Sequence, residues 1–378
     1  EMKKKILILM LEVGLGHKIP ALAIKEELEM QYPDAFDIAV VDFAKEVGAA
    51  RTDRQLNISW DIALKFPVFV RIGYRYMEMN RKNFFYIELL YRDFIQKGMQ
   101  YIANTNPDIV LATHALCIYI ASKARRIYGG NYKILSYVVD PFDGYSLWAN
   151  PESDMFLVAT EQSKSRLLDH GIKDSNIIIT GFPTRRAFFD LKKSKENIFS
   201  ELALDFTKIT ILISAGSQGI SNVYSFAKTA KRKNIPLNLI VVTGKNQKLK
   251  RNLDNLVHIK NEMNFAVLSY VDNMNELIAA SDVVAGKAGA STFMEAMFMK
   301  KPMIFTGWTA YNDWYIIKFA LDKQIGWYCP NLASFLNILK KLSKEPYTVL
   351  EYQRRIEALR FVPGTKAISE IIAGIAGQ

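Results

Sequence analysis

The chain has 378 residues, which is long for one hydrophobic core and suits two domains of roughly 150 to 200 residues each. Half of its residues are hydrophobic and 23% are charged, a composition that excludes a largely disordered protein. The net charge of +11 attracts phosphorylated ligands, anionic lipid or nucleic acid without choosing among them. Only two cysteines are present, Cys117 and Cys329, so we expect buried thiols in a reducing cytoplasm rather than a disulfide framework.

The first segment begins with lysines followed by an apolar run, as a secretory signal does. This run extends from Ile6 to Leu11 and ends at Glu12, with no small-residue cleavage site after it. We therefore expect a buried strand here and no signal peptide. No segment reaches the roughly 18 apolar residues of a membrane-spanning helix.

The next segment, "EVGLGHKIPALAIKEEL" at residues 12–28, joins that strand to an amphipathic helix. Gly14 and Gly16 favour a tight turn, and His17 stands where the helix starts. A histidine accepts a proton near neutral pH, so His17 is a candidate general base. The alternatives are a histidine that only bonds the backbone or contacts a phosphate.

Residues 51–100 interleave nine basic residues and ten aromatic residues with only five acidic ones. This pattern is typical of a contact with lipid headgroups, for which we single out Arg71, Arg75, Arg81 and Lys82. A core helix pair with a solvated basic face explains the pattern equally well.

Short apolar runs alternate with amphipathic stretches up to about residue 185, and the alternation restarts at "KITILISAGS". This order predicts an α/β protein with two doubly wound parallel sheets. We place the first domain at 1–185, a charged linker at 186–205 and the second domain at 206–345. The remaining helical segment, 346–378, is expected to pack back on the first domain.

Two motifs of the second domain follow buried strands. "ISAGSQGIS" offers the backbone N–H groups of residues 216–219 to a phosphate, although a glycine turn after any strand of such a fold looks similar. In "SDVVAGKAGASTFMEAM", Ser291 and Thr292 are expected to cap a helix on which Glu295 can bind ribose hydroxyls. The alternative is that Ser291 and Glu295 only cap the helix and bind no ligand.

Lys287, Gly289, Thr292 and Glu295, at this spacing, resemble the donor-nucleotide signature of glycosyltransferase family 28. Other stretches resemble the branch of monogalactosyldiacylglycerol synthases and processive diacylglycerol glucosyltransferases, among them "GLGH", Thr113-His114 and "SYVDNMNELIAASD". The resemblance implies a GT-B fold, in which two Rossmann-like domains face a cleft.

The resemblance also implies site residues. The general base would be His17, with Asp140 and Asp143 as rival bases or as partners that orient His17. Acceptor contacts are implied for Gly14, Gly16, His114 and Trp148. Donor contacts are implied for Gly216, Ser217, Gln218, Gly219, Tyr270, Val271, Lys287, Gly289, Ser291, Thr292, Glu295, Asn312 and Asp313. The remaining histidines, His170 and His258, are expected on the surface.

Two departures from the family pattern leave the donor sugar open. Ala310, Tyr311, Asn312 and Asp313 stand where the family has a Pro-Gly-Gln-Glu run, so the amide and the acid are each shorter by one methylene. Gly144 stands where the family often has a histidine after the aspartate that Asp140 matches.

The function that the resemblance implies is an inverting transfer of a hexose or N-acetylhexosamine from a UDP-sugar to a lipid hydroxyl, such as that of diacylglycerol. We expect no bound metal or other cofactor, because no cysteine or histidine cluster has metal-ligand spacing. The expected partners are the UDP-sugar, the lipid and an anionic membrane surface at the cytoplasmic face, with no nucleic acid. The alternatives are an isomerase similar to UDP-N-acetylglucosamine 2-epimerases, and a transferase with a polyprenyl or soluble acceptor.

Overall fold

A computed structural model describes residues 3–12, 16–79, 85–214 and 223–377, without the side chains of residues 60, 61, 63, 64 and 85. The chain divides into two compact units. The first unit comprises Glu1–Arg186, Thr309–Asn312 and Val362–Gln378, and the second comprises Ala187–Trp308 and Asp313–Phe361.

The first unit is built on a sheet of six parallel strands in the order β2-β1-β3-β4-β5-β6. Its strands are near-continuous apolar runs because helices cover both faces of the sheet, and Ile6 to Leu9 are at most 1% exposed. The strands are β1 Lys4–Met10, β2 Phe36–Asp42, β3 Ile109–Ala112, β4 Lys133–Tyr137, β5 Met155–Val158 and β6 Ile177–Ile179.

Nine helices of the described residues belong to this unit. The last of them, α17, packs against α1 and places Ile368 and Ile372 in the core of the first unit. The helices are α1 Lys18–Gln31, α2 Phe43–Glu46, α3 Ala50–Lys65, α4 Pro67–Met79, α5 Phe85–Leu90, α6 Arg92–Thr105, α7 Ala115–Ala124, α8 Glu161–Asp169 and α17 Thr365–Ala376.

The second unit repeats the plan with six parallel strands in the order β12-β11-β10-β7-β8-β9. In both sheets the strand order reverses beside the first strand of the unit, as in doubly wound folds. The strands are β7 Thr210–Ser214, β8 Asn238–Val242, β9 Asn264–Leu268, β10 Val283–Lys287, β11 Met303–Gly307 and β12 Gly326–Tyr328. The helices are α9 Lys195–Glu201, α10 Val223–Arg232, α11 Gln247–Val257, α12 Met274–Ala280, α13 Ala290–Phe298, α14 Tyr311–Asp322, α15 Leu332–Lys344 and α16 Tyr347–Leu359.

The segment expected to be a linker is part of the second unit. It contains α9, which packs against α12, and the Glu276 carboxylate accepts hydrogen bonds of 3.0 Å from the backbone N–H groups of Lys192 and Lys193. Of the helices expected to return to the first unit, α17 does so and α16 groups with the second unit.

Helices α3 and α4 do not form the core helix pair that the sequence left open. Every residue of α4 is described, and only Tyr74 among them is buried. Phe69 is 66% exposed, Ile72 is 60% exposed and Met79 is 84% exposed, so this pair presents apolar side chains to its surroundings. Among the described residues, no helix combines the length and the hydropathy needed to cross a bilayer.

Candidate active site

His17 lies at the carboxyl edge of the first sheet, immediately before α1. Its Nδ1 is 2.6 Å from the carbonyl oxygen of Thr113, which follows β3, and the Thr113 hydroxyl donates back to the His17 carbonyl at 3.1 Å. Because a carbonyl oxygen only accepts, Nδ1 carries the proton of the neutral ring. The other nitrogen, Nε2, is therefore left with a lone pair, as a general base requires.

His114 has the opposite tautomer. It is the residue that caps α7, and its Nδ1 accepts a hydrogen bond of 3.1 Å from the backbone N–H of Leu116. The proton of the neutral ring is therefore on Nε2, which is a donor. The ring centroids of His17 and His114 are 4.7 Å apart, so an acceptor nitrogen and a donor nitrogen belong to neighbouring rings.

Burial keeps both rings uncharged. It lowers the pKa of His17, and the bond to Thr113 opposes this only in part. Burial also lowers the pKa of His114 well below its usual range, and the proximity of His17 adds to that effect. At neutral pH the pair can accept one proton and donate one hydrogen bond.

Asp140 lies after β4 and is 7% exposed. Its Oδ2 accepts from the indole N–H of Trp148 at 2.9 Å, and its Oδ1 accepts from the amide of Asn312 at 2.7 Å, all within the first unit. Trp148 has no exposed surface in this structure, and the acceptor contact implied for it stays a prediction. Its side chain positions Asp140, and Asn312, implied as a donor contact, does the same.

Asp143 is a structural ion-pair residue and is not placed as a base. Its side chain is fully buried, accepts from Tyr74 at 2.5 Å and pairs with Arg166 at 3.0 Å. Burial raises the pKa of Asp143, while Tyr74 and Arg166 act in the opposite direction. The carboxylate therefore has its partners within the fold, and the role of rival base does not suit it.

The same network corrects the expectation for His170. Arg166 also pairs with Glu78 of α4 at 2.8 Å, and the His170 ring lies 3.5 Å from that carboxylate. The His170 side chain is 2% exposed, so it is not a surface residue, whereas His258 is exposed as expected.

In the second unit, α13 begins at Ala290, two residues earlier than a cap at Ser291 requires. Gly289 is the residue before the helix, and no described side chain caps the helix, so capping by Ser291 or Thr292 is wrong. The first backbone N–H groups of a helix have no partner within it. The Ser291 hydroxyl is also buried without a hydrogen-bond partner among the described residues. This helix start can thus donate several hydrogen bonds to an anion.

Glu295 lies one turn further along α13. Burial raises its pKa to about 7, and no ion pair or hydrogen bond of its carboxyl group occurs within the described part of the chain. By contrast, Lys287 at the end of β10 pairs with Asp313 at 3.2 Å, so these two donor candidates neutralise each other. In the loop after β9, Tyr270 is 63% exposed and Val271 is half-buried.

Of the remaining predicted site residues, three are described and the others fall outside the described residues. Gly16 is described, is half-buried and has open space where a Cβ atom would lie. Arg71 donates to the backbone carbonyl of Thr309 at 3.4 Å, and Arg75 is exposed. The positions outside are Gly14, Arg81, Lys82, Gly216, Ser217, Gln218 and Gly219.

Sequence reasoning missed the groups that set the state of the site. The Thr113 carbonyl is a backbone atom, and the Arg166 partner of Asp143 is 23 residues away on another element. A backbone acceptor has no residue-type signal, and an arginine on an amphipathic helix is usually solvated. Within the described ranges, no three histidine, cysteine or acidic side chains are grouped as ligands for a metal ion.

Comparison with known proteins agrees with this arrangement. The family described as monogalactosyldiacylglycerol (MGDG) synthase matches residues 17–184, and the family 28 glycosyltransferase C-terminal domain matches residues 210–313. The first match starts at His17 and the second ends at Asp313. Over these two matches the chain is similar to glycosyltransferase family 28.

A curated relative shows the same similarity. The processive diacylglycerol β-glucosyltransferase of Bacillus cereus is 28% identical over 305 residues, which cover 79% of this chain and 75% of the relative.

Solved structures give the fold. MurG of Acinetobacter baumannii has a TM-score of 0.64 at 16% identity and covers 98% of this chain and 99% of its own. The UDP-GlcNAc 2-epimerase of Neisseria meningitidis, bound to UDP-GlcNAc, has a TM-score of 0.60 at 14% identity, with 99% of both chains covered. The α/β GT-B class is thereby confirmed, and a likeness at this identity carries no information on the reaction.

Proposed function

We propose that this chain is an inverting glycosyltransferase that moves a sugar from a UDP-sugar to a hydroxyl group of a membrane lipid such as diacylglycerol. The observation that carries the proposal is the hydrogen bond from His17 Nδ1 to the Thr113 carbonyl, which leaves Nε2 unprotonated. The relative from Bacillus cereus, by its name a diacylglycerol glucosyltransferase, supports the lipid acceptor.

In the proposed reaction, His17 Nε2 takes the proton of the acceptor hydroxyl. The acceptor oxygen forms a bond to the anomeric carbon from the face opposite the diphosphate, and the bond from that carbon to the diphosphate oxygen breaks. UDP leaves with the electron pair, so the configuration of the anomeric carbon inverts. His114 Nε2–H is a donor that can orient the acceptor oxygen, and His17 then returns its proton to solvent.

The donor would be held by the second unit. The N-terminus of α13 and the Ser291 hydroxyl supply hydrogen-bond donors for the diphosphate, and Glu295 is an acceptor for ribose hydroxyls. We assign the uracil to the loop of Tyr270 and Val271. Because fixed donors and the helix dipole stabilise a leaving diphosphate, the reaction needs no metal ion in this proposal.

The acceptor would be reached at the surface of the cell membrane, on its inner face. The exposed apolar side chains of α3 and α4 support this, since single helices seldom present so many. The exposed Arg75 on α4 adds a positive charge suited to anionic headgroups. Phe69, Ile72 and Met79 are the apolar residues that we expect to enter the lipid.

One experiment tests the proposal against its alternatives. The full chain is incubated with UDP-glucose, UDP-galactose or UDP-N-acetylglucosamine, each with and without diacylglycerol vesicles, and products are identified by mass spectrometry and NMR. Glycolipid with an inverted anomeric carbon supports the proposal. Epimerised UDP-N-acetylglucosamine without acceptor would indicate the isomerase. Transfer only to a polyprenyl phosphate or a soluble sugar would show that the acceptor is not diacylglycerol.

A further inference from the structure

A partly open apolar cavity lies within the first unit, between α3, α4, α5 and α7. Its volume is about 340 Å³, in the size range of small-molecule sites. Most of its wall consists of aliphatic side chains and aromatic rings. The aliphatic part comes from Leu56, Met77, Ile87, Leu90, Leu116 and Leu147.

Two polar residues of the wall, Tyr119 and Ser146, are engaged with other groups of the chain. The Tyr119 hydroxyl donates to the Glu88 carboxylate, which Lys123 also contacts. Ser146 donates through its backbone N–H to Glu78 at 2.7 Å and through its hydroxyl to the Met77 carbonyl at 3.3 Å. Away from His114, the mainly apolar wall offers a polar occupant few replacements for the hydrogen bonds to water that it would lose, whereas a hydrocarbon loses none. The wall therefore favours a hydrocarbon.

One part of the wall leads to the reacting groups. His114 lines the cavity, and its ring centroid is 4.7 Å from that of His17. An occupant with a hydrocarbon chain in the cavity and a hydroxyl next to that chain would present the hydroxyl to the two histidines. A glycerolipid has this arrangement, because its free hydroxyl lies a few bonds from the start of an acyl chain.

We propose that this cavity holds one acyl chain of the acceptor lipid and thereby sets the hydroxyl against His17. The inference rests on the proposed function for the identity of the lipid, and it adds a site to that function. A methylene group fills about the volume of one water molecule, roughly 30 Å³, so about ten methylenes fit. A longer chain would extend beyond the cavity toward the membrane.

Gly73 provides a test that does not depend on loss of folding. It lies within α4 and lines the cavity, and a Cβ atom built on it meets no atom of the described residues within 4 Å. Leucine is a better helix former than glycine, so Gly73→Leu is expected to keep α4 while narrowing the cavity. Gly374→Leu is the matched control, because Gly374 is also within a helix, α17, has the same open surroundings and does not line the cavity.

Binding is measured first, without any reaction. Cis-parinaric acid, a fluorescent 18-carbon fatty acid, is titrated into the three full-length proteins and then displaced with dioctanoylglycerol. We expect saturable binding by the native chain and by Gly374→Leu within twofold of each other, and at least tenfold weaker binding by Gly73→Leu. Equal binding by Gly73→Leu and the native chain, or no saturable binding by the native chain, overturns the proposal.

Transfer to diacylglycerol separates the two proposals. If glycolipid forms, the acyl-chain proposal predicts a higher KM for the lipid in Gly73→Leu and an unchanged KM for the UDP-sugar. An unchanged KM for the lipid overturns the acyl-chain proposal and leaves the proposed function standing. If no UDP-sugar gives glycolipid while Gly73→Leu still binds the fatty acid more weakly than the native chain, the proposed function fails. The cavity then remains an acyl-chain site.

Discussion

The two units share one sheet plan, but the ionisable side chains at the carboxyl edges of their sheets have different surroundings. In the first unit the acids are paired with donors, Asp143 with Arg166 and Asp140 with Trp148, while His17 and His114 stay neutral. In the second unit Glu295 is buried with no counter-charge among the described residues. Burial disfavours charge in both places, so it lowers the pKa of the histidines and raises that of the acid. The same cause leaves neutral histidines in one unit and, in the other, a carboxyl group that keeps its proton to a higher pH.

The largest effect is expected at His17, one of the two neutral histidines of the first unit. His17→Ala removes the only proton acceptor proposed for the reaction, and general-base catalysis is worth roughly 100- to 10,000-fold. We expect the rate of glycolipid formation to fall by that range while the Kd for UDP, measured by calorimetry, changes less than twofold.

The exposed His258→Ala is the control and should keep full activity. Because the pKa of His17 is lowered, transfer by the native chain should hold at pH 6.5 and fall only at lower pH, as the ring gains its proton. Normal turnover by His17→Ala would transfer the role of base to Asp140.

The paired acid of the first unit should respond through stability. Arg166→Met leaves the buried Asp143 carboxylate without its cation, and breaking a buried pair costs about 3 to 5 kcal/mol. Urea unfolding followed by circular dichroism should show the transition of the first unit at a lower urea concentration.

The exposed pair of Lys318 and Asp322 is the matched comparison, with side chains 59% and 60% exposed. Lys318→Met should cost about 1 kcal/mol or less. Equal effects of the two substitutions would contradict the structural role of Asp143.

Glu295, which has no ion pair among the described residues of the second unit, should make stability depend on pH. The pKa of Glu295 rises from its ordinary value of 4.5 to about 7 on folding, so the folded chain holds this proton more tightly than the unfolded chain. Its contribution is neutral below pH 4.5 and becomes unfavourable as pH rises to 7. Glu295→Gln should therefore be more stable than the native chain at pH 8, by about 1 to 3 kcal/mol, and similar to it at pH 4.5.

Thermal unfolding at both pH values measures this difference, with the exposed Glu262→Gln as control. A difference that is the same at both pH values would show that the effect comes from packing and that Glu295 is charged when folded.

The smallest effect concerns the helices around the sheets, where the first unit exposes apolar side chains on α3 and α4. Ile72→Ser should weaken binding to vesicles with anionic lipid by about fivefold, because part of the transfer free energy of one aliphatic side chain is lost. Leu350→Ser, on α16 of the second unit, is matched in exposure at 57% against 60% for Ile72 and should bind as the native chain does. If both variants lose vesicle binding equally in a flotation assay, membrane binding is not specific to the α3 and α4 surface.

The sequence by itself determined the architecture of each unit. Apolar runs such as "KILILM" are buried strands because a parallel sheet covered on both faces needs no polar alternation, and this is visible from local periodicity. The spacing from Lys287 to Glu295 identified the family, which the matches confirm. His17 was also recognised as a candidate, from its place between a strand and a helix.

Only the tertiary structure decided the chemical state of these residues. The tautomer of His17 depends on a carbonyl 96 residues away, and the charge of Asp143, in a loop, is neutralised by Arg166 on α8. Trp148 and His170 are buried by the packing of loops and helices that no local pattern reveals. The cavity beside His114 likewise exists only once α3, α4, α5 and α7 are in place. Protonation, burial and cavities depend on neighbours in space, and the sequence lists only neighbours along the chain.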